Sequence, residues 1–115
     1  MTLSIPITSE CVAVLHPITE DESTLRANLP LTIPEQADLA GISHSAQRVE
    51  WLACRAAIRQ LVEEQGIVYT GLYKDEFGKP HLLNSSWHIS LSHTGGWAAA
   101  VLHRTRPVGI DIEPI

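Results

Sequence analysis

The stretch from about Ser45 to Gln65 constrains this chain more than any other, because its period leaves little choice but a long helix. At 100° per residue, Trp51, Ala53, Cys54, Ala57, Ile58, Leu61 and Val62 fall on one broad arc. Ser43 or Ser45 is the candidate cap, and Gly66 the stop. Arg48, Arg55 and Arg59, at i, i+7 and i+11, form a narrow basic stripe beside the apolar arc. Arg59 has Glu63 four residues on, which suits a surface pair. Arg48 and Arg55 have no acidic neighbour on that stripe, so they are open either to phosphate binding or to a structural role.

Such a helix must bury its apolar side against something, and the flanking sequence supplies strands. Cys11–His16 is a short apolar run stopped by Pro17, and Ile67–Tyr73 is also strand-like. Trp87–Ser92 alternates, with Trp87, Ile89 and Leu91 on one face and His88, Ser90 and Ser92 on the other. After a Gly95-Gly96 turn, Trp97–His103 predicts a second strand and Val108–Glu113 a third. Three strands so closely spaced predict an antiparallel meander, with the long helix packed on one face in a two-layer α+β fold. Two short helices precede the long one, from an N-cap at Thr19 to about Asn28, and from Pro34 to Gly41. Asp75-Glu76-Phe77-Gly78 predicts a turn leading through Lys79-Pro80 into His81-Leu82-Leu83.

The 115 residues allow a single domain with one modest core. A net charge of −5 argues against a nucleic-acid binder, whose footprint is basic. No apolar run approaches the roughly 20 residues of a membrane span, and Met1–Pro6 has no basic segment leading an apolar one. Cys11 and Cys54 read as free buried thiols, which suits a cytoplasmic protein.

The groups that carry chemistry lie in the second half. Asp111 and Glu113, two apart on a predicted strand, project from one face with Cα atoms roughly 6.5–7 Å apart. Hard oxygen donors so placed suit magnesium, although an isolated Asp-x-Glu is more often a solvated strand face. Ser92-His93 ends a strand at a glycine turn, where an anion could meet side chain and backbone N–H groups, or where the histidine is simply satisfied. Gly78-Lys79-Pro80 is a rigid cationic elbow or plain turn chemistry. The six histidines, His16, His44 and His81 among them, show no zinc-ligand spacing.

In order and spacing, four segments resemble the 4′-phosphopantetheinyl transferase superfamily, in its larger surfactin-synthetase-type form. They are Arg48–Arg55, Gly78-Lys79-Pro80, Ile89-Ser90-Leu91-Ser92-His93-Thr94 and Val108-Gly109-Ile110-Asp111-Ile112-Glu113. The likeness covers about the last 70 residues, while the first 40 or so match only in general character. It implies transfer of the 4′-phosphopantetheine arm from coenzyme A to a serine of an acyl or peptidyl carrier protein. It further implies that Asp111 and Glu113 bind Mg²⁺, and that Arg48, Arg55, Lys79, Pro80, Ser92 and His93 line the coenzyme A site.

Full-length members are pseudo-dimers, whose second half carries a Trp-x-x-Lys-Glu segment. No such segment occurs in these 115 residues, so the chain resembles the N-terminal half, structurally competent and inactive alone. The C-terminal half is then an expected partner, on the same polypeptide or as a second subunit of a heteromeric enzyme. A homodimer through the half-face thus exposed is a further expectation. The alternative from another class is a non-catalytic module binding coenzyme A or a carrier protein.

Overall fold

The computed structural model describes residues 3–113. Met1 and Thr2, at the start of the stretch searched for a leader, lie outside the described residues, as do Pro114 and Ile115. The chain forms β1 (Leu3–Pro6), β2 (Cys11–Pro17), α1 (Glu22–Ala27), α2 (Ile33–Ala40) and α3 (Ser45–Glu64). There follow β3 (Leu72–Lys74), β4 (Pro80–Leu82), β5 (His88–Thr94) and β6 (Trp97–His103). The architecture is α+β, and all strand pairings are antiparallel: a four-stranded sheet ordered β1-β2-β6-β5, and a small β3-β4 hairpin.

The long helix runs as its period predicts. Its C-terminus closes where glycine is needed: Gly66 takes φ 78°, its N–H reaches the Glu63 carbonyl at 3.0 Å, and the Ile67 N–H reaches Val62 at 3.1 Å. These two bonds satisfy carbonyls the last turn would otherwise leave open. The N-cap is His44 rather than either serine, and no side chain bonds the first-turn amides there.

The sheet has two unlike faces. Toward α3 it turns Val12 and Val14 of β2, Ala98, Ala100 and Leu102 of β6, and Ile89 and Leu91 of β5. Alanines at 98 and 100 meet Ala53 and Ala57 of the helix, all fully buried, so small side chains on both layers let backbone approach backbone. Leu52, Ile58, Leu61 and Val62 fill the volume on either side. The opposite face carries a smaller cluster of Cys11, Ala13 and Val101, against which Val108 and Ile110 pack.

That second cluster explains the chief departure from expectation. Val108–Glu113 forms no backbone ladder with the sheet. Its amides at Ile110 and Ile112 donate instead to the hydroxyls of Ser90 and Ser92, both at 3.2 Å. Both bonds join residues 20 apart, so the segment runs in the same direction as β5, as a third meander strand would, but it is held by β5 side chains instead of laddering with β6. It lies across the second face, because serine hydroxyls stand out of the sheet plane and offer acceptors there. The place expected for it in the sheet is taken by β2, which flanks β6 on the side away from β5.

Smaller corrections have local causes. The first helix is capped two residues later than Thr19, because Asp21 is the better cap: its carboxylate accepts from the Thr24 N–H at 2.9 Å. The strand-like run from Ile67 shrinks to Leu72–Lys74, since Gly71 adopts φ 114°, which no strand tolerates. The second helix ends at Gly41 as expected and begins at Ile33, with a capping box between Thr32 and Glu35. Among the described residues no helix is long and apolar enough to cross a membrane.

Candidate functional site

Three of the four segments singled out in the sequence meet at one cleft. An open hollow of about 360 Å³ lies between α3, the β3-β4 hairpin and the end of β5, and its walls include Trp51, Arg55, Lys74, Pro80, Leu91 and His93. Arg55 and Trp51 come from one wall of α3; their i, i+4 spacing stacks the guanidinium on the indole, 3.5 Å from the ring centroid. Pro80 and Lys74 sit side by side because the hairpin register pairs them directly across the Asp75–Gly78 turn. The turn itself is closed by Asp75, whose carboxylate accepts from the Phe77 and Lys79 amides, both at 2.9 Å. His81 bonds the same carboxylate at 2.9 Å, and these contacts, the His81 one foremost, hold Asp75 below the usual carboxylate range.

His93 enters from β5 on the helix side of the sheet. Its Nδ1 lies 2.6 Å from Glu50 of α3, which fixes the ring, and Nε2 has no hydrogen-bond partner among the described residues. Its neighbour Ser92 points to the opposite face, as the two-residue period requires. There the Ser92 hydroxyl accepts from the Ile112 amide and donates to Asp111 at 3.4 Å. The fourth segment is thus joined to the third through two serines, Ser90 and Ser92. Asp111 and Glu113 are exposed and the intervening Ile112 is half-buried, so the carboxylates alternate outward as a strand would place them. Among the described residues no cluster of three or more His, Cys, Asp or Glu side chains is gathered for a metal.

Not every expected residue reaches the cleft. Arg48 makes a two-pronged pair with Glu22, Nε and Nη2 each 2.8 Å from a carboxylate oxygen, and its Nη1 donates to the Leu39 and Ile42 carbonyls. The arginine holds Glu22 below the usual range. It fastens α1 and the end of α2 to α3. The Lys79 side chain is exposed and does not line the cleft; Lys74 does. The acidic partners of Arg48 and Arg55 come from outside the stripe, as α1 and α2 supply Glu22 and Glu35. Helix-surface reasoning looks only along one helix and so misses both. Arg59 does pair with Glu63, at 3.3 Å.

Lys74 comes from the hairpin register, whose loop encloses five residues, Asp75 to Lys79, and so pairs it with Pro80; the four-residue turn read from the sequence would pair it with Lys79. Cys54, which also borders the cleft, is no nucleophile, because burial pushes its thiol up to about 12 and its S–H faces the Ser92 carbonyl.

No protein-family model matches this chain, and no curated protein matches it. The residues themselves must carry any assignment.

One buried group stands outside this pattern. The Tyr69 hydroxyl is sealed from solvent without a hydrogen-bond partner among the described residues, and burial raises its pKa well above the usual tyrosine value. An unmet hydroxyl in a core is a penalty of roughly 1–3 kcal/mol. Tyr69→Phe is therefore expected to leave stability unchanged or raise it by about 1 kcal/mol. A urea midpoint that falls would show that the hydroxyl has a partner in solution.

Proposed function

We propose that this chain is the coenzyme A- and magnesium-binding half of a 4′-phosphopantetheinyl transferase, which moves the phosphopantetheine arm from coenzyme A to a carrier-protein serine. The observation that carries the reading is the convergence of Arg55, Pro80 and His93, from three separate segments, on one cleft. The cleft has the chemistry that a nucleotide with a terminal phosphate requires. Leu91 and the Trp51 ring supply apolar wall, Arg55 and Lys74 supply N–H donors and positive charge, and His93 presents its second ring nitrogen.

Asp111 and Glu113 fit Mg²⁺ by donor chemistry, being exposed hard-oxygen ligands two residues apart, with Ser92 bonded to the first. When bound, the ion would neutralise charge on the pyrophosphate and on its leaving group. Ser92 and His93 stand on opposite faces of β5, an edge strand. A ligand spanning both groups therefore passes from the cleft to the second face near the end of β5, and the sharp fold that coenzyme A makes at its pyrophosphate suits such a path. The protein's own part is to bind and orient the donor. The Trp-x-x-Lys-Glu segment does not occur in the chain, so binding without transfer is the expected behaviour of these residues alone.

Calorimetric titration tests this. Coenzyme A should bind, and Mg²⁺ should tighten binding by about tenfold or more, the effect of gaining charge-assisted contacts. Asp111→Ala and Glu113→Ala should each remove that gain and leave metal-free binding unchanged. A carrier protein incubated with the chain, coenzyme A and Mg²⁺ should show no mass increase. Failure to bind coenzyme A refutes the reading, whereas binding indifferent to Mg²⁺ and to Asp111→Ala identifies a non-catalytic binding module.

A further inference from the structure

Glu35 lies outside every segment that suggested the function, yet it is the most deeply buried carboxylate among the described residues, its side chain only 3% exposed. A buried acid needs a reason, because desolvation disfavours it unless its oxygens are fully engaged. Both are. Oε1 accepts from the Thr32 N–H at 3.2 Å, closing the capping box of α2, and Oε2 accepts from Arg55 Nε at 2.7 Å. The Arg55 guanidinium is thereby held twice: at its Nε edge by Glu35, and across its face by Trp51 at 3.5 Å.

What is left free is informative. Neither Nη atom of Arg55 has a hydrogen-bond partner among the described residues, and neither is among the buried unpaired polar atoms. Arg55 lines the cleft, so its Nη1–Nη2 edge is the part of the fork open to a ligand. A carboxylate that wanted only to neutralise an arginine would take two N–H groups, as Glu22 does from Arg48. Glu35 takes one and leaves the pair suited to a phosphate. The contrast between the two arginines of one helix separates a structural pair from a poised one.

We infer that Glu35 is a positioning residue, holding Arg55 edge-on so that its two Nη groups receive the ribose 3′-phosphate of the bound donor. This rests on the coenzyme A reading above and adds to it the subsite and the residue that shapes it. Arg55 touches the ligand, while Glu35 acts only through Arg55. Held in advance by Trp51 and Glu35, the guanidinium loses little freedom when phosphate arrives.

The test compares coenzyme A with 3′-dephospho-coenzyme A, titrated without Mg²⁺ against the wild-type chain, Glu35→Gln and Thr32→Ala. Thr32→Ala weakens the same capping box without touching the Arg55 pair, so it controls for damage to α2. The wild type should prefer coenzyme A by roughly tenfold or more, as for loss of a charge-assisted pair of bonds. Glu35→Gln should bring that ratio close to one by weakening coenzyme A alone, and Thr32→Ala should preserve it. Should the Gln variant fail to fold, Glu35→Asp, which keeps the charge but withdraws it by one methylene, should lower the ratio in its place.

A wild type that binds neither ligand sinks the coenzyme A reading and this inference with it. A wild type that prefers coenzyme A, with the ratio unchanged in the Glu35 variants, overturns the positioning role alone. Tighter coenzyme A binding by Glu35→Gln also overturns it, since Glu35 would then be competing with phosphate rather than presenting Arg55 to it. Equal weakening of both ligands overturns it as well, by reducing Glu35 to a structural part of α2.

Discussion

Replacing Gly71 with alanine is expected to cost about 3–5 kcal/mol, the sum of a forbidden backbone angle and a buried clash. Gly71 sits at φ 114°, where an L side chain is strained whatever the space around it. Space is also lacking, for a Cβ there would stand 2.6 Å from Glu35 Oε1 and 2.9 Å from Thr32 Cγ2. A clash with the end of a loose side chain would relax cheaply. This carboxylate is tied to Thr32 by one oxygen and to Arg55 by the other, so it cannot swing away without breaking the buried pair.

The chain at Gly71 is pinned as well, its carbonyl accepting from the Leu83 amide at 3.1 Å. Gly78 supplies the comparison, since it too has positive φ, 81°, but nothing lies within 4 Å of its added Cβ. Gly78→Ala should cost only about 1 kcal/mol. Urea unfolding should show the two midpoints well apart at similar slope. Equal costs for the two alanines would mean that the loop over Glu35 yields easily, and the rigidity claimed for the Arg55 clamp would fail with it.

The same corner shows what the sequence disclosed and what it withheld. The helix over Ser45–Glu64, β2, β5 and β6 were legible because each depends on a period or a turn within one segment. The Gly95-Gly96 hairpin was legible for the same reason, both glycines taking positive φ, 46° and 87°, as a tight two-residue turn requires. Two things escaped. The Val108–Glu113 segment alternates like a strand, and its Asp111 and Glu113 do alternate outward, but its hydrogen-bond acceptors are serine hydroxyls on another element. Alternation reports which side chains face inward and says nothing of what receives the amides.

The acidic partners of Arg48 and Arg55 escaped for a related reason. Glu22 and Glu35 are 26 and 20 residues away, and nothing in a helical wheel brings them near. The first forty residues, featureless as motifs, turn out to supply half the large sheet and the counter-charges of Arg48 and Arg55. Of the cleft itself, Arg55, Pro80 and His93 were read from the sequence, and Lys74 and Trp51 were not assigned to it.

Removing either partner of the Arg55–Glu35 pair should destabilise the fold by about 3–5 kcal/mol, and removing both should cost less than either. The argument turns on what each single change leaves behind. Arg55→Ala strands a carboxylate that is 3% exposed, with only the Thr32 amide to solvate it. Glu35→Ala strands a guanidinium that still lies on the Trp51 ring and whose Nη edge opens toward the cleft. Arg55→Ala should therefore be the more damaging.

The double replacement Glu35→Leu with Arg55→Met removes both charges and keeps most of the volume. It should retain a deficit of only about 1 kcal/mol for the lost capping box, far below the sum of the two single losses. Singles that simply add in the double variant would show that the two side chains stabilise the fold independently and that Arg55 is not held by Glu35.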